Sequence, residues 1–173
     1  MFRVILQAMS HPGKIFSLPD YPERTTVSVE LLSCLLDNEV GFAVIGDKDL
    51  ETVINRCTSS RPAPPENADY IIVCNGTTGG KLAGFKRGSL EYPDAGATIL
   101  YLVEELSDTY GGIELSGPGI RDTASLRITG FNLNELRLLK QVNGEFPLGL
   151  DVIFLDRSGH IACIPRSSQI GVN

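Results

Sequence analysis

The chain has no tryptophan, two histidines, and four cysteines that nowhere form a C-x-x-C pair. His11 and His160 lie far apart, and Cys34, Cys57, Cys74 and Cys163 are widely spaced. These absences exclude a zinc knuckle or a redox dithiol and leave no metal-ligand cluster. Reduced, mostly buried thiols in a cytoplasmic protein are expected. No apolar run reaches the ~20 residues of a membrane span. The segment MFRVILQAMSHPG has no small-residue cleavage site after a long apolar core, so it is not read as a signal peptide. Positive charge is scarce: net charge is −6 and the sequence pI is near 4.9. Without a dense Lys/Arg cluster the basic face of a nucleic-acid binder is missing. A few placed arginines and backbone amides can still hold a small anion.

Familiar catalytic signatures are missing too. NGTTGGKL follows an apolar run and resembles a phosphate loop, but Gly76 to Gly80 is one residue too short for G-x-x-x-x-G-K-[ST]. Leu82 also stands where a magnesium-holding hydroxyl belongs, so a flexible surface turn is the expectation. There is no G-x-S-x-G elbow, and Ser10 and His11, being adjacent, do not aim their side chains at each other. None of Lys14, Lys48, Lys81, Lys86 and Lys140 has the surroundings of a Schiff-base lysine. No cofactor is expected.

What is present is enough for a sizeable core. With 173 residues, 42% of them hydrophobic, one domain spanning 1–173 is expected. Phe2, Ile5, Leu6 and Met9 recur at helical spacing with Arg3, Gln7 and Ser10 opposite, and Pro12-Gly13 stops the helix. KIFSL reads as a short strand. Ser28 is placed as the cap of a helix over VELLSCLLDN, with Leu31, Leu32, Leu35 and Leu36 inward. VGFAVI, YIIVC, ATILYLVEEL and GIELSG read as strands. DKDLETVINRCTS reads as a helix opened by Asp47. NLNELRLLKQVNG reads as a helix with Leu133, Leu136 and Leu139 on one side. The pattern favours an α/β domain with a mixed sheet covered by helices.

FPLGLDVIFLDRSGHIACIPRSSQ carries the sharpest physical question. It reads as a hairpin, yet Asp151 lies in an apolar strand and Arg166 at its neighbour's exit. A two- or four-residue turn puts both on one face, since side chains alternate, whereas a three-residue loop breaks this. Breaking a buried ion pair costs ~3–5 kcal/mol, so an Asp151–Arg166 pair is expected. LSGPGI, with two glycines around a proline, can present converging amides to an anion; as a bland alternative it is a rigid reversal. In EYPDAGATIL, Asp94 and Gly96 shape the entry to a strand. His160 is placed beside the hairpin turn, in solvent.

FRVILQAMSHPG, YPDAGATIL, LSGPGI, FPLGLDVIFL and ACIPRSSQI, in this order, resemble the PhnH family, a subunit of the carbon–phosphorus lyase system of phosphonate catabolism. The family usually carries a stretch before Phe2-Arg3, and a Thr-Thr pair where this chain has Ser167-Ser168, a change that keeps both hydroxyls. The resemblance implies a three-layer αβα sandwich with a mixed sheet, similar to the fold of pyridoxal-phosphate-dependent transferases but without the cofactor lysine. It implies a cytoplasmic homodimer that joins PhnG, PhnI and PhnJ. With the ATPase-like PhnL, that complex couples a phosphonate to C1 of the ATP ribose and displaces adenine. It implies no catalytic residue in this chain, and the radical iron–sulfur chemistry belongs to PhnJ. Arg3, Ser10, Pro12, Gly13, Gly117, Gly119, Asp151 and Arg166 are the motif positions expected to line a shared site or partner surface. The alternative is a stand-alone small-molecule binding or transferase domain on a vestigial cofactor fold.

Overall fold

The structure, a computed structural model, describes residues 1–19, 24–109 and 112–171. Its elements are α1 (Phe2–Ser10), β1 (Phe16–Ser17), α2 (Arg24–Ser33), β2 (Gly41–Ile45), α3 (Lys48–Cys57), β3 (Arg61–Pro62), β4 (Tyr70–Val73), β5 (Thr98–Leu102), β6 (Glu105–Ser107), β7 (Ile113–Ser116), β8 (Ala124–Thr129), α4 (Asn134–Val142), β9 (Asp151–Leu155), β10 (His160–Ile164) and β11 (Gln169–Gly171). Short 3-10 turns lie at Lys81–Gly84, Pro93–Ala95 and Asn143–Glu145. A seven-stranded mixed sheet runs β1-β10-β9-β5-β4-β2-β3, and a four-stranded antiparallel sheet runs β11-β7-β8-β6. β9, β5, β4, β2 and β3 pair in parallel, while β10 is antiparallel to both its neighbours. Buried on both faces, the central strands are near-continuous apolar runs rich in Ile, Leu and Val, with Phe42, Tyr101 and Phe154 among them.

The two faces of the large sheet are covered differently. One meets α1, α2 and α3 through Ile5, Ala8, Leu31, Leu32, Leu50 and Ile54. The other meets α4 and the small sheet through Leu136, Leu139, Leu115 and Leu126. The mixed α/β reading therefore holds, with the second layer made partly of strands. The run ATILYLVEEL does not form one strand. It bends at Val103, whose amide donates to Leu155 O, and Glu104 N donates to Thr129 O. β5 thus belongs to the large sheet and β6 to the small one.

Helix periodicity located the helices better than their inward faces. In α1 Ile5 and Ala8 are buried, while Phe2 and Leu6 stand more than half exposed. The small Ala8 lets the helix lie close to β10, which rotates the buried stripe away from Leu6. In α4 Leu136 and Leu139 are buried, but Leu133 lies outside the helix and is exposed; Glu135 is buried instead. Ser28 does not cap α2: the helix starts upstream of it, and Ser28 is buried within. Thr25 and Thr26 carry the same hydroxyl signal, so the sequence marks no single start. Asp47 caps α3 as expected, its Oδ1 accepting from Asp49 N and Leu50 N. Of the cysteines only Cys163 is fully buried, Cys74 is half-buried, and Cys34 and Cys57 are exposed near helix C-termini.

Asp69, just before β4, ties the amino edge of the parallel strands together. Its Oδ2 accepts from Gly41 N at 2.7 Å and its Oδ1 from Lys86 Nζ at 2.5 Å. Burial pushes the Asp69 pKa up, but the Gly41 amide and the Lys86 ammonium outweigh it and hold the carboxyl below its ordinary value. A lowered folded-state pKa stabilises the protein above the ordinary carboxylate pKa of about 4 and loses that contribution as pH falls through and below it. Asp69→Asn is therefore expected to cost about 1 kcal/mol at pH 7, discounted for the part-exposed lysine. Its stability gap to wild type should narrow on acidification. Urea unfolding at pH 7 and pH 3.5 checks this, and a gap independent of pH contradicts it.

Candidate functional site

Asp151 opens β9 and Arg166 follows β10, and the two side chains pair. Arg166 N donates to Asp151 Oδ1 at 2.8 Å, and Arg166 Nε and Nη2 donate to Oδ2 at 3.1 and 2.5 Å. Arg166 Nη1 donates to Pro93 O. The side chains are only 23% and 13% exposed, so this is a largely desolvated pair rather than a surface contact.

The pair exists, but strand alternation does not explain it. Leu155 pairs with Ile161 and Val152 with Ile164, so a three-residue loop, Arg157-Ser158-Gly159, joins outer positions Asp156 and His160. Gly159 takes φ +79°, the left-handed position of this hairpin loop. In that register the side chains of β9 and β10 sort by parity: Ile153, Leu155, Ile161 and Cys163 face the α1–α3 layer, and Val152, Phe154, Ala162 and Ile164 the other. Asp151 and Arg166 would then lie on opposite faces. They meet because the strand ends at Ile164. Pro165 cannot donate to the ladder, Ser168 N turns back to Pro165 O, and Arg166 reaches round the sheet edge. Asp151 keeps the face of Cys163. Burial, aided by the Asp151 charge, pushes the Cys163 thiol pKa well up, so this cysteine is not a poised nucleophile.

The other sequence motifs close in around this pair. A Cβ on Gly96 would meet Gly149 O and Arg166 Nη1, each at 2.6 Å, so YPDAGATIL supplies the wall along which the guanidinium lies. Gly117, at φ +123°, has Ser167 O 3.1 Å from where its Cβ would stand. Gly119, at φ +83°, would drive a Cβ to 2.3 Å from Ser10 O and 2.9 Å from Pro12 Cδ. Gly13 N donates to Cys163 O. Ser10, Pro12, Gly13, Gly117 and Gly119 thus form one junction of two loops, connected through Ser167 to the Asp151–Arg166 pair. All of it lies at the amino edge of the parallel strands. Arg3 is not part of it: seven residues back along α1, about 10 Å at helical rise, it is exposed between Phe2 and Leu6. Ser10 Oγ donates to Leu6 O at 2.7 Å, so its hydroxyl caps the helix end.

Two features escaped sequence reading. The loop NGTTGG is pinned rather than flexible, because Glu135, 2% exposed, accepts from Thr77 Oγ1 at 2.9 Å, Thr78 Oγ1 at 2.8 Å and Tyr101 Oη at 2.7 Å. Burial and this carboxylate push the Tyr101 pKa far up. The only legible signal was a Glu at an inward position of an amphipathic helix. The second feature is a crevice of ≈ 370 Å³ lined by Gly46, Asp47, Cys74, Asn75, Leu50 and Leu102. It lies at the carboxyl ends of β2, β4 and β5, where open α/β sheets bind ligands. The chain leaves β2 outward through α3 on one face, and leaves β4 inward through residues 74–97 on the other. Asp47 and Asp49 make this crevice acidic. His160 is not simply solvated: its Nδ1 lies 2.9 Å from Oδ2 of the buried Asp156. Among the described residues no three His, Cys, Asp or Glu side chains could hold a metal ion, and no helix is long and apolar enough to cross a membrane.

The family model for the bacterial phosphonate metabolism protein PhnH matches residues 1–171. The chain belongs to the PhnH family. A relative in Stutzerimonas stutzeri, the putative C-P lyase subunit protein HtxG, is 30% identical over 178 residues, covering 99% of this chain and 84% of that protein. The segments that carry the resemblance assemble the Asp151–Arg166 pair and the neighbouring loop junction.

If that pair is a coupled, desolvated unit, Asp151→Ala strands both the guanidinium and the Arg166 amide. A double-mutant cycle with Arg166→Ala, read by urea denaturation, is expected to give a coupling energy of about 2 kcal/mol, above the ~1 kcal/mol ceiling of exposed pairs. Additive losses would show the pair to be energetically independent.

Proposed function

We propose that this PhnH-family chain is an accessory, non-catalytic subunit of a carbon–phosphorus lyase complex. The match of a phosphonate metabolism family over nearly the whole chain carries this reading, supported by a relative named as a C-P lyase subunit. In it the chain acts as one domain over 1–173, as a cytoplasmic homodimer, and assembles with PhnG, PhnI and PhnJ. The complex joins a phosphonate to C1 of the ATP ribose with adenine release. The fold is a three-layer αβα relative of the pyridoxal-phosphate transferases that has lost the cofactor lysine. Arg3, Ser10, Pro12, Gly13, Gly117, Gly119, Asp151 and Arg166 contribute to a partner or ligand surface.

The geometry of those residues supports structural service over chemistry. Asp151 and Arg166 satisfy each other and Pro93 O, Ser10 serves the end of α1, and the glycines allow backbones to approach. One observation favours the second reading, a stand-alone small-molecule domain: the crevice at the carboxyl ends of β2, β4 and β5.

The purified chain is expected to release no adenine from ATP and methylphosphonate above a blank. A tagged copy expressed in a phosphonate-using host is expected to co-purify with the other lyase subunits at low salt. Adenine release by the chain alone, or its recovery without those subunits, would overturn the accessory-subunit reading.

A further inference from the structure

His11, Lys14 and Arg121 line one shallow cavity of ≈ 290 Å³, together with Pro12, Gly119 and Thr123. Its walls are the SHPGK and GPGIR loops, the junction at which Gly119 lies against Ser10 O. We propose that this cavity binds a tetrahedral oxyanion of the phosphate and phosphonate class.

The charges are arranged for it. On a chain of net charge −6, Lys14 and Arg121 have no acidic partner within ion-pair distance among the described residues. Among the described lysines and arginines only Lys86, Arg87, Arg157 and Arg166 are ion-paired, so what sets Lys14 and Arg121 apart from the other unpaired cations is that they share one cavity. Lys14 Nζ lies 5.7 Å from the Phe16 ring centroid, a contact that leaves ammonium hydrogens available. The amides of Gly119 and Arg121 donate to no acceptor among the described residues, whereas that of Ile120 closes the turn onto Gly117 O at 3.1 Å. Amides and cations on one concave loop are the elements of an anion nest, and the guanidinium adds a planar fork matched to phosphoryl oxygens.

The end of α1 would repel an anion if its carbonyls were bare. They are occupied. Leu6 O accepts Ser10 Oγ, Gln7 O accepts both the amide and Nδ1 of His11, and His11 O accepts Lys14 N. Because Gln7 O can only accept, Nδ1 carries a hydrogen. Asp122 follows Arg121 but does not line the cavity. The crevice at the opposite edge of the sheet, with Asp47 and Asp49, has the wrong sign for the same ligand.

The proposal deepens the accessory-subunit reading, and rests on it only for the choice of methylphosphonate as a probe. The full chain, labelled with nitrogen-15, is titrated at low ionic strength with methylphosphonate, inorganic phosphate and tripolyphosphate. Saturable amide shifts confined to residues 11–14 and 119–124 are expected. Arg121→Gln and Lys14→Gln are each expected to weaken binding about tenfold, in line with loss of one charge-assisted contact, while Arg157→Gln, on the distant hairpin loop, changes nothing. Methylphosphonate or phosphate binding as tightly as tripolyphosphate points to a free phosphonate or phosphate; tripolyphosphate binding much more tightly points to the tail of a nucleotide. No saturable shift with any probe, shifts centred elsewhere, or equal loss in Arg157→Gln overturns the proposal. Co-purification of Arg121→Gln with the lyase subunits is read separately. Intact assembly without anion binding to wild type refutes the site and leaves the subunit role standing. Lost assembly without anion binding to wild type makes the patch a protein contact and also refutes it.

Discussion

The Asp151–Arg166 pair is the constraint from which the amino edge of the sheet is organised. One carboxylate accepts three hydrogen bonds from a residue fifteen positions away, and the guanidinium also reaches Pro93 O. Four chain segments are thereby fixed to one another: the entry to β5, the turn before β9, the exit of β10, and, through Ser167, the loop after β7. Taking two charges largely out of water is unfavourable by itself, and it becomes tolerable when the geometry is good and further hydrogen bonds join the pair. That requirement explains why small residues surround the pair. Gly96 brings backbone against the guanidinium where a side chain would hold it away, and Gly149 does the same for Asn143 and the Arg166 Cβ.

The sequence disclosed this pair for the right energetic reason and through the wrong geometry. A carboxylate within a buried strand had to find a cation, and Arg166 was near enough in the chain. The alternation rule assumed that β10 continued through Arg166, whereas Pro165 ends the ladder. Glu135 shows the opposite case. Its hydroxyl partners Thr77, Thr78 and Tyr101 lie 34 to 58 positions away in sequence, so nothing local announced that this carboxylate would be buried or that the glycine-rich loop would be held. Strand runs and helix periods were readable because burial imposes them residue by residue. The rotation of α1 and the splitting of residues 97–107 between two sheets depend on neighbours brought together only by the fold.

Electrostatics separate the two edges of the large sheet. At the carboxyl ends the crevice carries Asp47 and Asp49, with Asp47 already engaged in capping α3. At the amino ends the cations are of two kinds: Arg166 and Lys86 are held by carboxylates and do structural service, while Lys14 and Arg121 are not. The distinction matters more than the net charge. A guanidinium that already donates to a carboxylate and a carbonyl has little left to offer a ligand, so the arginine most evident in the sequence is not the one best placed to bind.

The outermost strands of the seven-stranded sheet, β1 and β3, are two residues long, and β3 ends in a proline. Such edges present almost no unpaired ladder to a neighbouring chain, and the proline removes a donor from what little there is. Extension of the seven-stranded sheet across copies is therefore disfavoured at these two edges. Among the described elements, contact with a second copy or another subunit is left to the helices, the loops and the smaller sheet, whose outer strands β11 and β6 are three residues long.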